Sequence, residues 1–414
     1  MTPEVKERIA QIRRGEVPEG YQKKGVHLAP KGWRELKISD IYSERKEPGE
    51  EGLPILSVSI HCGVSDGELN EEDIRKTIKR IEDKSQYKKA QQGDLVFNMM
   101  RAWQGAVGTV KTTGMVSPAY IVAVPNENAD SMFMDYYMKS PEMIHTMHSQ
   151  SYGLTDFRLR LYWDSFVPIK CVLPSVQEQQ KIAEILTTQD RLIELKERLI
   201  AEKQRQKKYL MQQLLTGKKR LQGFTKQWEF IRAKNIFRNV SDKDHDGTLE
   251  VLSATQDRGV VPRSQVDIDI KYDPNSLVGY KRVRIGDFVI SLRSFQGGIE
   301  YSEYNGIVSP AYTVLQPSAP IIDDFYKFFF KSADYINKLS VAVYGIRDGK
   351  QISYNDFGHI EIPYPSIDEQ RSIAHILASA DREIEILQQE LEQEKQKKKA
   401  LMQLLLTGIV RVNV

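Results

Sequence analysis

The sequence predicts an α+β protein. Two similar mixed α/β domains are separated by two long helices, packed as an antiparallel coiled coil, in a pseudo-two-fold internal repeat. Three observations predict it. A capped stretch, free of Gly and Pro between its caps, occurs twice, at 175–217 and 366–408. A strand-rich segment precedes each copy. The offset between matching residues stays at about 190 throughout, far longer than any solenoid period.

The long stretches come first, because the rest is organised around them. Each opens with Pro-Ser-x-x-Glu (Pro174, Ser175, Glu178; Pro365, Ser366, Glu369) and closes with Leu-Thr-Gly (Leu215–Gly217; Leu406–Gly408). The opening reads as a capping box. The Ser hydroxyl takes an orphan N–H of the first turn, and the Glu reaches back to the cap. Gly just past a helix supplies the left-handed closing residue. In the second copy Ile373, Leu377, Ala380, Ile384, Leu387 and Leu391 form a heptad seam. In the first, Ile182, Leu186, Ile193 and Ile200 share one row, with Ile185, Leu192 and Leu199 beside it. Helices of this length reach about 60 Å. Two of them, each with an apolar face to cover, most simply cover each other.

The strand-rich segments run in parallel. Trp33 answers Trp228, and Leu56-Ser57-Val58 answers Leu252-Ser253-Ala254. Gly93-Asp94 and Gly286-Asp287 each turn into an apolar run that reads as a strand. Val116-Ser117-Pro118-Ala119-Tyr120 recurs unchanged as Val308-Ser309-Pro310-Ala311-Tyr312, and Tyr152-Gly153 recurs as Tyr344-Gly345. The expected organisation is an N-terminal arm or helix (1–25), a first domain (26–174), a first long helix (175–217), a second domain (218–365), and a second long helix with its tail (366–414).

Composition limits function. Of 414 residues, 59 are Lys or Arg and 56 Asp or Glu, so any basic surface must be local. Two cysteines, Cys62 and Cys171, exclude a disulfide scaffold and fit a reducing compartment. No apolar run reaches membrane length and the N-terminus is not signal-like, so a cytoplasmic chain without a membrane partner is expected.

The chain shows no catalytic constellation. There is no Walker motif and no Gly-rich cofactor loop between strand and helix. The amino-methyltransferase signature Asn/Asp-Pro-Pro-aromatic is absent too. Asp242, Asp244, Asp246 and Gly247 match the first half of a calcium loop. Ser253 stands where its bidentate Glu belongs, so the stretch reads as a solvated acidic turn. No metal site and no cofactor are expected.

Two similar but unlike domains on a helical spacer suit a ligand with two separated, related sites. Duplex DNA is such a ligand, since its readable groove faces recur about every 34 Å. The paired motifs Pro174-Ser175…Glu178-Gln179…Ile182-Ala183…Ile185-Leu186 with Leu214–Gly217, and Pro365-Ser366…Glu369-Gln370…Ile373-Ala374…Ile376-Leu377 with Leu405–Gly408, resemble the specificity subunit of a Type I restriction–modification enzyme. The resemblance covers the chain from about Trp33 to Gly408. It implies two target-recognition domains, each reading half of a bipartite, asymmetric sequence in double-stranded DNA. It also implies an antiparallel coiled coil that sets the gap, and docking of DNA methyltransferase subunits and of restriction/translocase subunits. The chain itself would not be an enzyme.

Both domains carry one polar constellation after a strand: Arg101-Ala102-Trp103-Gln104-Gly105 and Arg293-Ser294-Phe295-Gln296-Gly297. Arg and Gln can read guanine and adenine bidentately. Residues common to both domains are nonetheless expected to do the common work, contacting phosphate or shaping the loop. Base discrimination is expected where the copies diverge. One such region is 61–86, with Arg75, Lys76, Lys79 and Arg80, against 256–271, with Gln256, Arg258 and Arg263. Another follows the shared Tyr-Gly: Thr155, Arg158 and Arg160 against Arg347, Lys350 and Gln351. The DNA-contact candidates are thus Arg101, Gln104, Arg158, Arg160, Arg293, Gln296, Arg258, Arg263, Arg347 and Lys350. Two other readings fit the same sequence. One is a coiled-coil scaffold that bridges proteins without DNA, and the other is a detached piece of a fused restriction–modification enzyme.

Overall fold

The computed structural model describes residues 2–24, 27–60, 63–65, 86–155, 158–266, 274–342 and 352–413. These form two compact units, 1–195 with 391–414, and 196–390. Each unit therefore takes part of both long helices. The helices span Val176–Leu214 and Ile367–Leu406. They run antiparallel within each unit. In the first, the Gln189 amide reaches Glu394 and Lys398 pairs with Asp190 at 2.5 Å. In the second, Lys196 pairs with Glu390 at 2.6 Å, Lys203 with Glu383 at 2.5 Å, and Lys207 with Asp381.

The helix starts depart from a capping box in one respect. The serines cap as expected: the Glu178 and Glu369 amides donate to the Ser175 and Ser366 hydroxyls at 3.3 and 3.4 Å. The carboxylates do not turn back. Glu178 is held by Arg411 through two bonds of 2.6 and 2.7 Å, and Glu369 by Arg220 through two bonds of 2.7 Å. Each arginine stands three residues past the glycine that closes the other helix. Buried carboxylates need such partners, and a planar guanidinium matches both oxygens at once.

The closing glycines have a packing role besides their positive φ of +70° and +69°. A Cβ on Gly217 would meet the Trp228 ring at 3.1 Å. One on Gly408 would meet Pro30 at 2.5 Å and Trp33 at 3.0 Å. The glutamines after the glutamates fasten domain to helix. The Gln179 side-chain carbonyl accepts the Asp130 amide at 2.8 Å, and that of Gln370 accepts the Ile322 amide at 2.9 Å.

The two rows on the first helix behave differently. Ile182, Leu186 and Ile200 are buried, whereas Ile185, Leu192 and Leu199 remain exposed. On the second helix Ile373, Leu377 and Ile384 are buried. Burial of such a side chain contributes about 2 kcal/mol.

Each unit contains a four-stranded antiparallel sheet with the same strand order. The first unit has Tyr42–Glu44, Tyr120–Pro125, Leu95–Asn98, Val107–Thr109. The second has Phe237–Val240, Thr313–Pro317, Phe288–Ile290, Glu300–Tyr301. Smaller pairs repeat as well: Arg34–Lys37 with Lys170–Leu173, and Glu229–Arg232 with Glu361–Tyr364. Apolar residues of the strands pack on short helices and on the long-helix ends. Phe97, Phe133 and Phe166 lead the first core, and Phe237, Phe288, Tyr326 and Phe330 the second. Ahead of the first domain the helix Pro3–Arg13 is capped by Thr2, and Arg8 donates to the Ile409 carbonyl at 2.6 Å.

Candidate nucleic-acid interface

In the first unit the strand Leu95–Asn98 ends on a buried polar residue. The Asn98 side-chain oxygen accepts the Met100 amide at 3.0 Å, which turns the chain sharply. Arg101 follows, then one 3-10 turn, Ala102–Gln104, closed by Gly105 at φ +95°. Arg101 and Gln104 are exposed, and neither side chain has a hydrogen bond or ion pair among the described residues. Trp103 is half-buried. Its indole N–H donates to the Met100 carbonyl at 3.0 Å, and its ring lies 5.5 Å from that of His148.

Tyr120, the last residue of the repeated Val-Ser-Pro-Ala-Tyr, lies against this turn. Burial pushes its hydroxyl pKa up, opposed by a backbone bond from Val58 and by the Arg101 charge. Lys88 donates to the Tyr120 carbonyl at 2.8 Å, and burial lowers the pKa of that ammonium. A hairpin comes alongside. Tyr152 and Arg160 exchange two backbone bonds of 3.0 and 3.1 Å, and the Leu161 amide donates to the Met99 carbonyl at 2.9 Å. Exposed Arg158 and Arg160 thus share a surface with Arg101.

The second unit repeats the arrangement with other residues around it. The Ser291 hydroxyl accepts the Arg293 amide at 3.3 Å, and the helical turn Ser294–Gly297 follows, ending at Gly298 with φ +83°. Arg293 and Gln296 are exposed, again without a side-chain hydrogen bond or ion pair among the described residues. Lys281 donates to the Tyr312 carbonyl at 2.6 Å, and burial lowers its pKa too. Burial raises the Tyr312 hydroxyl, and the charges of Arg263 and Arg293 oppose it. Arg263 is half-buried, with its Nε donating to the Ser253 hydroxyl at 3.3 Å. Arg258 is exposed and donates to the Gln265 carbonyl at 3.0 Å.

One bolt joins these pieces. Lys331 Nζ donates to the carbonyls of Gln256 at 3.2 Å and Gly297 at 2.9 Å, and to Glu300 Oε1 at 2.5 Å. It ties the loop carrying Arg258 to the turn carrying Arg293. Sequence reading gave no role to Lys331. It missed Lys88 and Lys281 altogether, although Tyr-Lys stands six residues before Gly-Asp in both copies (Tyr87-Lys88, Tyr280-Lys281).

Arg347 and Lys350, with Gln351, Arg75, Lys76, Lys79 and Arg80, lie outside the described residues. The acidic turn at 242–247 is held by protein groups. Asp242 pairs with Arg284 at 3.1 Å, and the His245 ring accepts the Gly247 amide at 3.1 Å. No cluster of metal-ligating side chains occurs among the described residues. No helix among them is long and apolar enough to cross a membrane.

Comparison with known proteins adds the decisive observation. The family model described as "Type I restriction modification DNA specificity domain" matches residues 217–396. Residues 217–396 are similar to Type I specificity domains. The match takes in the second domain and most of the second long helix; the first domain and first helix are the other copy of the same repeat. Two specificity subunits of Methanocaldococcus jannaschii type I restriction enzymes are each 27% identical. MjaX matches 59% of this chain and MjaVIII 69%. The chain spans about 60% of the MjaX subunit's length and 72% of the MjaVIII subunit's. The crystal structure of the HsdS subunit from Thermoanaerobacter tengcongensis superposes with a TM-score of 0.54 at 19% identity. The superposition covers 94% of this chain and all of that one. That likeness is one of fold. The matched segment contains the turn that carries Arg293.

Proposed function

We propose that this chain is the non-catalytic DNA-specificity subunit of a Type I restriction–modification complex. It reads a bipartite, asymmetric duplex target, one half per domain, and carries methyltransferase and restriction subunits in the cytoplasm. The observation that carries the reading is the twice-built turn. In both domains an exposed Arg and Gln, without side-chain partners among the described residues, share one turn, and the Arg charge acts on the same tyrosine, while the surrounding arginines differ. The shared pair suits contacts common to any duplex. Arg158 and Arg160 in one domain, and Arg258 and Arg263 in the other, suit unlike half-sites. Arg347 and Lys350 belong to the same proposal by their place in the sequence.

The exposed Ile185, Leu192 and Leu195 on the first long helix suit a partner subunit. That apolar stripe is also what a protein-bridging scaffold would need, which keeps the scaffold reading as the second one. Methylome sequencing of cells carrying this chain with its partner methyltransferase separates the two. A single asymmetric target with an internal gap, lost when the chain is removed, is the expected result. Methylation that does not change when the chain is removed overturns the specificity reading.

A further inference from the structure

The residue immediately before the shared arginine is a large apolar side chain in open water in both domains. Met100 is 44% exposed and Leu292 50%. A lone exposed aliphatic residue carries no message, since most surfaces have some. Here the exposure recurs at one structural position in two copies that differ in sequence. Each follows a strand end where a polar side chain bends the backbone: Asn98 accepts the Met100 amide, and Ser291, just past its strand, accepts the Arg293 amide. In the first domain the same surface adds Leu154, 93% exposed, and Tyr152, 58% exposed, on the hairpin that bonds to Met99. The immediate neighbours are cationic, with Arg101, Arg158 and Arg160 in one domain and Arg293 in the other. No carboxylate pairs with any of them among the described residues. An apolar tip flanked by a cation without a carboxylate partner suits a polyanion with an apolar interior.

Resting on the specificity reading above, we propose that Met100 and Leu292 are wedges. Each inserts between two adjacent base pairs of its half-site while the following arginine holds a phosphate, so that the duplex bends once at each domain. Unstacking a step is costly, and burial of the wedge with the added contacts of a bent duplex offsets it. The sharp turn serves this role by exposing the side chain past the strand end, with the Trp103 indole holding the Met100 carbonyl in the first domain.

The test uses the full chain assembled with its methyltransferase subunits and a duplex carrying the target found by methylome sequencing, labelled at its two ends for energy transfer. The expected result is higher transfer in the wild-type complex than in free duplex. Met100→Ala and Leu292→Ala each remove part of the rise, the double variant removes it, and Met100→Leu retains it. Each alanine variant weakens binding about five- to tenfold with unchanged base preference. Both residues are exposed, so unfolding midpoints stay at the wild-type value. An unbent wild-type complex, or a double variant that bends DNA like wild type, overturns the proposal alone. A double variant that bends DNA normally but loses the methyltransferase subunits marks the tip as a protein-docking surface, and the proposal falls. A wild-type complex with no preference for the target over random duplex overturns the specificity reading itself.

Discussion

A carboxylate removed from water needs donors for both oxygens, and Glu300 has them for one. Lys331 reaches Oε1, while Oε2 is buried with no partner among the described residues. The two effects oppose each other, and burial wins. The Glu300 pKa is pushed up from 4.5 to about 7, against the pull of Lys331. The folded chain therefore keeps a proton that the unfolded chain has already released. The stabilisation is complete below pH 4.5 and lost as pH rises through about 7. Between pH 5 and 8 wild type is expected to lose roughly 1–3 kcal/mol more than Glu300→Gln does. Denaturant unfolding of both proteins at the two pH values checks it; parallel losses would contradict the assignment. The shared arginines make a second prediction at this scale. Arg101→Ala and Arg293→Ala are each expected to weaken binding to all duplexes alike. Each should also lower the slope of log affinity against log salt by about 1. A salt titration on target and random duplexes measures both quantities.

Among the elements, the ends of the long helices carry the most information per residue. One six-residue motif does three tasks: Ser caps, Glu takes an arginine from beyond the other helix, and Gln ties the helix to a domain loop. The Glu369 pair is the more fully partnered one, because the Trp228 indole also donates to it at 2.9 Å and Arg220 lies 5.4 Å from that ring. Removing one partner leaves a buried charge uncompensated. Arg220→Ala is therefore expected to cost about 3–5 kcal/mol of second-unit stability. Arg411→Ala should cost less, because the Arg411 side chain is 44% exposed. Urea unfolding followed by tryptophan fluorescence reads both variants, and a larger loss for Arg411→Ala would contradict the ranking. The helix interior is tied by a repeated pair as well. Lys398 pairs with Asp190 over the Tyr136 ring, and Lys207 with Asp381 over the Phe328 ring. Polar pairs of this kind specify helix register.

For the whole molecule, the proposed function predicts that spacing and base choice separate. Inserting one heptad into each long helix should change the gap of the methylated target and leave both half-site sequences alone. Replacing residues 26–174 with the corresponding domain of another specificity subunit should change one half-site and keep the gap. Methylome sequencing reads both outcomes, and a change of half-site bases on heptad insertion would contradict the separation.

The sequence by itself determined the repeat, the two long helices and the shared turn after a strand. All of these are carried by local signals: caps, the absence of Gly and Pro, a period of 3.5 to 3.6 residues, and recurring peptides. Tertiary structure alone decided which apolar row of the first helix is covered. Ile182 and Ile185 obey the same helical spacing, and only the packing in place tells them apart. It also decided that Glu178 and Glu369 serve Arg411 and Arg220 rather than their own caps. Those partners lie 233 and 149 residues away, beyond the reach of any local pattern.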